Sequence, residues 1–492
     1  MMSDPMSSPP PSDALLAALR AAVGEGALLL QPAQLQAYSC DGLTGTRVAP
    51  RAVVLPATTE EVAACVRACV AAGIPYVARG AGTGLSGGAL PVAEGMVIGL
   101  ARMNRVLRVD TRDERVVVQP GVTNLAVTQA VAAQGYYYAP DPSSQSVCTI
   151  GGNVAENSGG AHCLGHGFTV HHVLGAVFVT ADGGIARLGS ACPDAPGYDL
   201  LAAVVGSEGT LGIVTEVTLR VLPRPAGVVT LLAAFGSMAA AGDAVSAVIA
   251  AGILPAAIEM MDRLALSAVE AAVQAGYPDC EAVLLVEVDG EAVEVAEVCA
   301  AVERLCGDHG ATEIRRASGE AERALMWKGR RAAFAAMGRI SPSYYVQDGV
   351  IPRTRLGEVL EGIRGLEAEL GVRVANVFHA GDGNLHPLVL YDAAIPGQPE
   401  RAAECARRIL DLCVDAGGSI TGEHGVGTDK ACHLPRMFDE PSLRVMGRLR
   451  DAFDPHGLCN PGKALPTPRL CGEVPGVYRP HWAELAGLAD RV

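Results

Sequence analysis

Apolar residues recur at helical spacing over Asp13–Val23 and again over Thr58–Ala72, where Thr58 and Glu61 stand three apart as a capping box requires. Short aliphatic and β-branched runs surround them at Pro50–Pro56, Ile74–Arg79 and Gly95–Leu100. Arg105–Asp110 and Arg115–Gln119 read as paired strands, Thr123–Gln134 as a helix, and Val173–Ala181 and Gly206–Val221 as strands again. Pro223-Arg-Pro225 interrupts the chain. Beyond it strand and helix alternate: Val228–Phe235, Ser237–Ala251, Ala256–Met261, Arg263–Ala275, Ala282–Val288, Glu291–Cys306. The pattern predicts an α+β chain of two domains, with the second built from repeated strand–helix units.

Two stretches have no period. Arg79–Ala89 reads RGAGTGLSGGA, with five glycines between Gly80 and Gly88 and no charge among those nine residues. Ordering so many glycines is entropically costly. The expected compensation is a ligand that needs the backbone itself, because consecutive N–H groups without Cβ atoms form a nest for a diphosphate. Strand-like sequence on both sides argues against a linker. Gly82-Thr-Gly84-Leu-Ser-Gly87 matches GxGxxG, but the Gly- and Pro-rich Gly88–Gly95 that follows is no Rossmann helix. The second stretch, Ala139–Gly160, is expected to be an irregular 22-residue segment whose glycines and small polar side chains approach a flat ring.

Composition narrows the function. The chain has 492 residues, enough for several cores, and a formal net charge of −15, which gives nucleic-acid binding no support. The same charge repels an anionic substrate, so a carboxylate site must carry local positive charge. Arg67 breaks the apolar run Val62–Ile74 and Asp243 breaks Ala239–Leu254, so no run reaches the roughly 18 residues of a membrane span. The start, MMSDPMSSPPPSD, lacks the basic and apolar regions of a secretory signal and reads as a disordered tail, so a cytoplasmic location is expected. The 14 cysteines form neither an iron–sulfur nor a zinc pattern.

A second chemical centre is expected at Val377–Leu390, VFHAGDGNLHPLVL. With Gly381–Asn384 as a hairpin loop, Ala380 opposes Leu385 and His379 opposes His386 on one face, their Cβ atoms roughly 5 Å apart. Two imidazoles so placed suit a divalent metal. Glu423 in SITGEHGVG would complete a His2Glu set with open positions, leaving His424 as a base. The near-Walker stretch Gly457–Ala464 fails, because Ala464 lacks the metal-binding hydroxyl and Pro461 an N–H.

Together, ARGAGTGLSGGA, CTIGGNVAENSGG, GSEGTLGIVTEV, FHAGDGNLHPL, GEHGVG and DPHGLCNPGK resemble the vanillyl-alcohol-oxidase-type FAD flavoproteins, in their D-2-hydroxyacid dehydrogenase branch. The resemblance covers roughly Leu35 to Pro466. It implies a two-subdomain FAD-binding domain of the PCMH type at 35–226 and an α+β cap domain with an antiparallel sheet and a metal site at 227–440. A segment at 441–466 would rejoin the FAD domain, with an N-terminal tail and helix at 1–34 and a C-terminal tail at 467–492. It further implies that Gly80, Ala81, Gly82, Thr83, Gly84 and Ser86 hold the pyrophosphate. Thr149, Gly152, Asn153, Ala155 and Asn157 would line the flavin and Ile213 meet the adenine, with Pro140, Ser144, Glu208 and Asn460 in the same site. Thr83 stands where covalent flavoproteins carry the linking His, so the FAD is expected to be non-covalent. His379, His386 and Glu423 match the metal set, expected to take zinc, manganese or iron. Arg330 in WKGRR matches the carboxylate-binding arginine.

Relatives acting on diacids carry Asn two residues after the second metal His; here Leu388 stands there, which favours a short monocarboxylate. The expected activity is oxidation of a short D-2-hydroxy acid, glycolate first, with hydride passing to flavin N5 and electrons to iron–sulfur and second flavin-type subunits and then quinone. Membrane contact would come only through those partners. The alternatives are a stand-alone D-lactate dehydrogenase, a metal hydrolase using the His2Glu set, and a catalytically silent flavin-binding scaffold.

Overall fold

The computed structural model describes residues 11–192 and 197–466. The chain forms two units: one from residues up to Ser158, Phe168–Pro223 and the chain from Glu423, the other from Gly159–Gly167 and Arg224–Gly422.

In the first unit, strands β1 (Leu28–Leu29), β2 (Ala52–Val54), β3 (Tyr76–Arg79) and β4 (Met96–Gly99) form a sheet in the order β1-β2-β4-β3. β2 and β3, joined through a helix, both run parallel to β4. That helix, Thr59–Ala72, and the helix Asp13–Val23 bury Leu15, Leu19, Val62 and Val66 in the core beside the sheet. Thus the helix expected at Asp13–Val23 forms, and it belongs to the core of this unit. Thr58 caps the second helix through the N–H of Glu61, while the Glu61 carboxylate accepts from Ala57 N–H.

A five-stranded antiparallel sheet follows, β5 (Val106–Asp110), β6 (Arg115–Val118), β8 (Val173–Thr180), β9 (Ile185–Gly189) and β10 (Gly212–Arg220), in the order β5-β6-β10-β8-β9. The short pair β7 (Tyr136–Tyr137) and β11 (Leu222–Pro223) lies outside it. Part of the expected irregular segment is ordered as a helix, Ile150–Glu156. Thr149 caps its start and Asn157, at φ 52°, ends it. Its glycines hid the period.

The second unit is one antiparallel sheet of seven strands: β12 (Gly227–Phe235), β13 (Ala257–Asp262), β14 (Ala282–Gly290), β15 (Ala311–Arg316), β16 (Ser343–Val346), β17 (Arg373–His379) and β18 (Asn384–Tyr391). Their order is β15-β12-β14-β13-β17-β18-β16. Period-2 alternation gives the sheet two buried faces. Leu231, Ile258, Met260, Leu284, Phe378 and Leu385 pack with the helices Met238–Ala250, Ala292–Asp308, Leu356–Leu370 and Gln398–Asp415. Leu232, Met261, Leu285, Val377 and Leu388 pack with Arg263–Val273 and Glu320–Ala336.

The unit ends at Gly422, earlier than the expected 440: Val350 pairs with Ser419 and Gly422 N–H bonds Asp348, after which Ser86 and Glu208 of the first unit take up the chain. The proposed tail at 467–492 lies outside the described residues.

Candidate functional site

The glycine loop leaves β3 at Gly80. Three of its carbonyls are engaged: Ser86 O accepts from Thr428 and Asp429, Gly87 O from Leu90, and Gly88 O from the Asn460 amide. Its amides are not. Among the described residues, none of the eight consecutive N–H groups from Ala81 to Gly88 donates to protein. Backbone donors left this way, several of them buried, require an acceptor that the described residues do not supply. A row of such donors fits the negatively charged oxygens of a diphosphate. Expected pocket residues around it serve largely as framework. Asn153 Oδ1 accepts from Asn124, whose amide also bonds Pro140 O. Asn157 Oδ1 accepts from Val170 N–H, and Ala155 O from Glu208 N–H. Ser144 O takes the N–H groups of Val147 and Cys148, Gly152 donates to Thr149, and Ile213 is buried in the core.

The same framework shapes the segment that follows Gly422. Ser86 is fully buried and donates to His424 O. Glu208 accepts from the N–H groups of Val426 and Gly427, each at 2.6 Å, and Asn460 donates to Glu208 O. Gly427 sits at φ 54°, where an added Cβ would lie 2.0 Å from Ser86 O. So Glu208, expected to touch cofactor, holds Val426 and Gly427 in place, and Asn460, expected there too, ties Glu208 to Gly88. Glu423 Oε1 and His424 Nε2 lie 3.7 Å apart in the same segment. Glu156 lies beside Glu208; burial and then the Glu208 charge push the Glu156 carboxyl well above the usual range. Glu208 is also raised by burial, but the two amides oppose that shift.

In the second unit, polar side chains collect on the face that carries Met261 and Val377. The hairpin loop is Ala380–Gly383, one residue earlier than expected, so His379 opposes Asn384 and His386 opposes Val377. The slip changes the pairing sum by two residues, and a side-chain period of two keeps both imidazoles on one face. They are diagonal neighbours, ring centroids 4.9 Å apart. Phe334 meets His386 edge-on at 5.8 Å. Leu388, two residues on, is fully buried among apolar side chains.

The helix Glu320–Ala336 turns Arg323, Trp327 and Arg330 toward this face at i, i+4 and i+7. Arg323 and Trp327 both donate to Glu287. Arg330 is buried, with Nη2 2.5 Å from Glu259 Oε2, and its Nε has no acceptor among the described residues. Glu259 Oε1 lies 2.7 Å from His379 Nδ1. Asp348 accepts from Thr421 Oγ1 at 2.6 Å and Gly422 N–H at 3.0 Å, and stands 3.7 Å from His386 Nδ1. The expected set therefore divides: Arg330, His379 and His386 are in the second unit, while Glu423 and His424 open the returning segment of the first. Sequence reading missed Glu259 and Asp348. For Glu259 a signal existed, an acid inside the otherwise apolar run AIEMM.

The FAD binding domain family matches residues 50–189, and the family of FAD-linked oxidase C-terminal domains matches 224–464. The glycolate oxidase subunit GlcD of Escherichia coli (strain K12) is 50% identical over 468 residues, covering 95% of this chain and 94% of that protein. The chain belongs to the FAD-linked oxidases.

It is an FAD-dependent hydroxy-acid oxidoreductase, which removes the hydrolase alternative. GlcD of Bacillus subtilis (strain 168) is 38% identical, covering 87% of this chain and 91% of that one. A D-lactate dehydrogenase of Anaerostipes hadrus is 33% identical, covering 84% and 89%. Among solved structures, 4-ethylphenol oxidase from Gulosibacter chungangensis superposes with a TM-score of 0.77 at 19% identity, covering 94% of this chain and 98% of that one. p-Cresol methylhydroxylase gives 0.75 at 18%, covering 92% and 96%. These two share the fold. No described helix is long and apolar enough to cross a membrane.

Proposed function

We propose that this FAD-linked oxidase oxidises glycolate to glyoxylate, with D-lactate as the second reading. The observation that carries the proposal is the meeting on one sheet face of two imidazoles and a buried guanidinium with a donor to spare. The donor set suits a divalent cation, because imidazole and carboxylate ligands with open positions are those of a catalytic site. In this reading His379, His386 and Glu423 hold the metal, zinc or else manganese or iron, and the Ala81–Gly88 amides hold a non-covalent FAD. Bound there, FAD supplies the hydride acceptor at N5 and the metal supplies Lewis acidity toward the substrate hydroxyl.

The chain does the rest. Arg330 binds the substrate carboxylate through its planar fork, giving the positive charge that a protein of net charge −15 needs. His424 accepts the hydroxyl proton as the Cα hydride leaves. Leu388, packed in the apolar core, offers no polar contact to a second carboxylate, which favours a monocarboxylate. The name of the Escherichia coli relative, a subunit, supports assembly with partner subunits; in this reading those are iron–sulfur and second flavin-type proteins that pass the electrons to quinone. The identity with a D-lactate dehydrogenase supports the second reading.

The test is the visible spectrum of purified protein before and after anaerobic addition of glycolate, then of D-lactate. Bleaching of the flavin band by glycolate in preference is the expected result. Preferential bleaching by D-lactate selects the second reading, and a band that neither acid bleaches rejects both.

A further inference from the structure

One buried carboxylate touches both halves of the substrate end of this site. Glu259 is 1% exposed, on a strand whose other residues are apolar apart from its last, Asp262. It is paired in register with His379 across the β13–β17 ladder, so the two side chains leave the same face. One oxygen lies 2.7 Å from His379 Nδ1 and the other 2.5 Å from Arg330 Nη2. An ionised carboxylate only accepts, so the ring nitrogen facing it carries the proton and the lone pair falls on Nε2. That is the arrangement in which a carboxylate orients a metal-binding imidazole and raises its basicity.

We infer that Glu259 is a positioning residue: it fixes His379 as the Nδ1–H tautomer, which turns the Nε2 lone pair to a divalent metal, and it is the resident counter-ion that holds Arg330 until a substrate carboxylate arrives. The inference rests on the metal reading above. A purely structural ion pair is the competing account. Against it, Arg330 is not saturated: among the described residues Nε lacks an acceptor, and the contact from Nη2 to Glu259 is close without being a directed hydrogen bond. An arginine serving only to pin its helix to the sheet would spend its donors on protein. A structural pair also has no use for the imidazole on the second carboxylate oxygen.

The experiment is metal binding by the FAD-loaded full chain, stripped with chelator and titrated with zinc or manganese against a chromophoric competitor. Glu259→Gln is expected to weaken binding about 10–100-fold, with Glu259→Asp recovering part of the loss. Flavin absorbance and far-ultraviolet circular dichroism should stay at wild-type values. Because glutamine strands the Arg330 charge, the double variant Glu259→Gln/Arg330→Gln is measured beside it, and the same loss is expected there. Equal affinity in wild type and in a folded glutamine variant overturns the inference and leaves the metal reading standing. A wild-type protein that binds neither metal overturns both, while its flavin spectrum persists. The nitrogen-15 spectrum of the wild type, with His379 assigned by its loss in His379→Gln, needs no folded Glu259 variant. It should show Nδ1 protonated, and an Nε2–H tautomer would overturn the inference by itself.

Discussion

His424 and Gly427 lie three residues apart and depend on different physics. His424 is in the reading a proton acceptor, so His424→Ala should lower kcat by about 10²–10⁴-fold, the usual span for a general base. The flavin spectrum should not change, since the His424 contact that shapes the loop is its carbonyl, held by Ser86. Stopped-flow reduction by the preferred acid measures the effect. Gly427 is instead a backbone requirement. A methyl there meets a carbonyl that cannot move away cheaply, at a φ that alanine adopts with strain of order 1–3 kcal/mol. Gly427→Ala should therefore lower stability and distort the His424 segment together, seen as a lower Tm and a lower kcat. The identity of these residues was legible in GEHGVG. The partners that make them work, Ser86 and Glu208, lie hundreds of positions away in sequence, and Glu208 was read as a cofactor contact.

At the scale of elements, the helix Glu320–Ala336 and the sheet beneath it show how the site is braced. Glu287 on β14 accepts from Thr230, Trp327, Arg323 and His162 and is nearly buried. These partners, His162 and Arg323 above all, outweigh burial and hold its carboxyl well below the usual carboxylate range. Removing a buried, paired charge is costly because the partners stay behind. Glu287→Ala should destabilise the protein by about 3–5 kcal/mol, less a discount for the partly exposed Arg323. Trp327→Phe deletes one donor and should cost about 1–2 kcal/mol. Urea unfolding with an unchanged m-value separates the two. The strands and helices of this unit were legible from period alone. The hairpin register was not: Gly381–Asn384 and Ala380–Gly383 are both plausible four-residue loops, and only the pairing of β17 with β13 and β18 chooses between them.

For the whole molecule, pH acts through buried charge. Lys463 is almost fully buried, donating to Leu90 O and Asn460 Oδ1. Burial lowers its ammonium to about 8, against the opposing pull of Asp41 and Glu208. The unfolded chain keeps that proton up to the ordinary lysine range, so between about pH 8 and 10.4 it binds more protons than the folded chain. The contribution of Lys463 to stability therefore rises with pH through that window and is lost as pH falls through about 8. Relative to Lys463→Met, the wild type should gain at most about 1.4 kcal/mol per pH unit there, measured by chemical denaturation at pH 7 and 9.5.

Local physics determined much of this protein from sequence alone: helix and strand periods, the two glycine-rich segments, the pair of histidines on one face, and the break at Pro223. Each of these is written within a few neighbouring residues. Tertiary structure decided what neighbours cannot encode. It turned Glu208 into a brace for the His424 segment, with Asn460 bonded to Glu208 O, ended the second unit at Gly422, ordered Ile150–Glu156 as a helix, and set Glu259 between His379 and Arg330. Those outcomes depend on long-range burial. A carboxylate excluded from water must find donors, and which donors lie within reach is fixed only when the sheets and helices have packed.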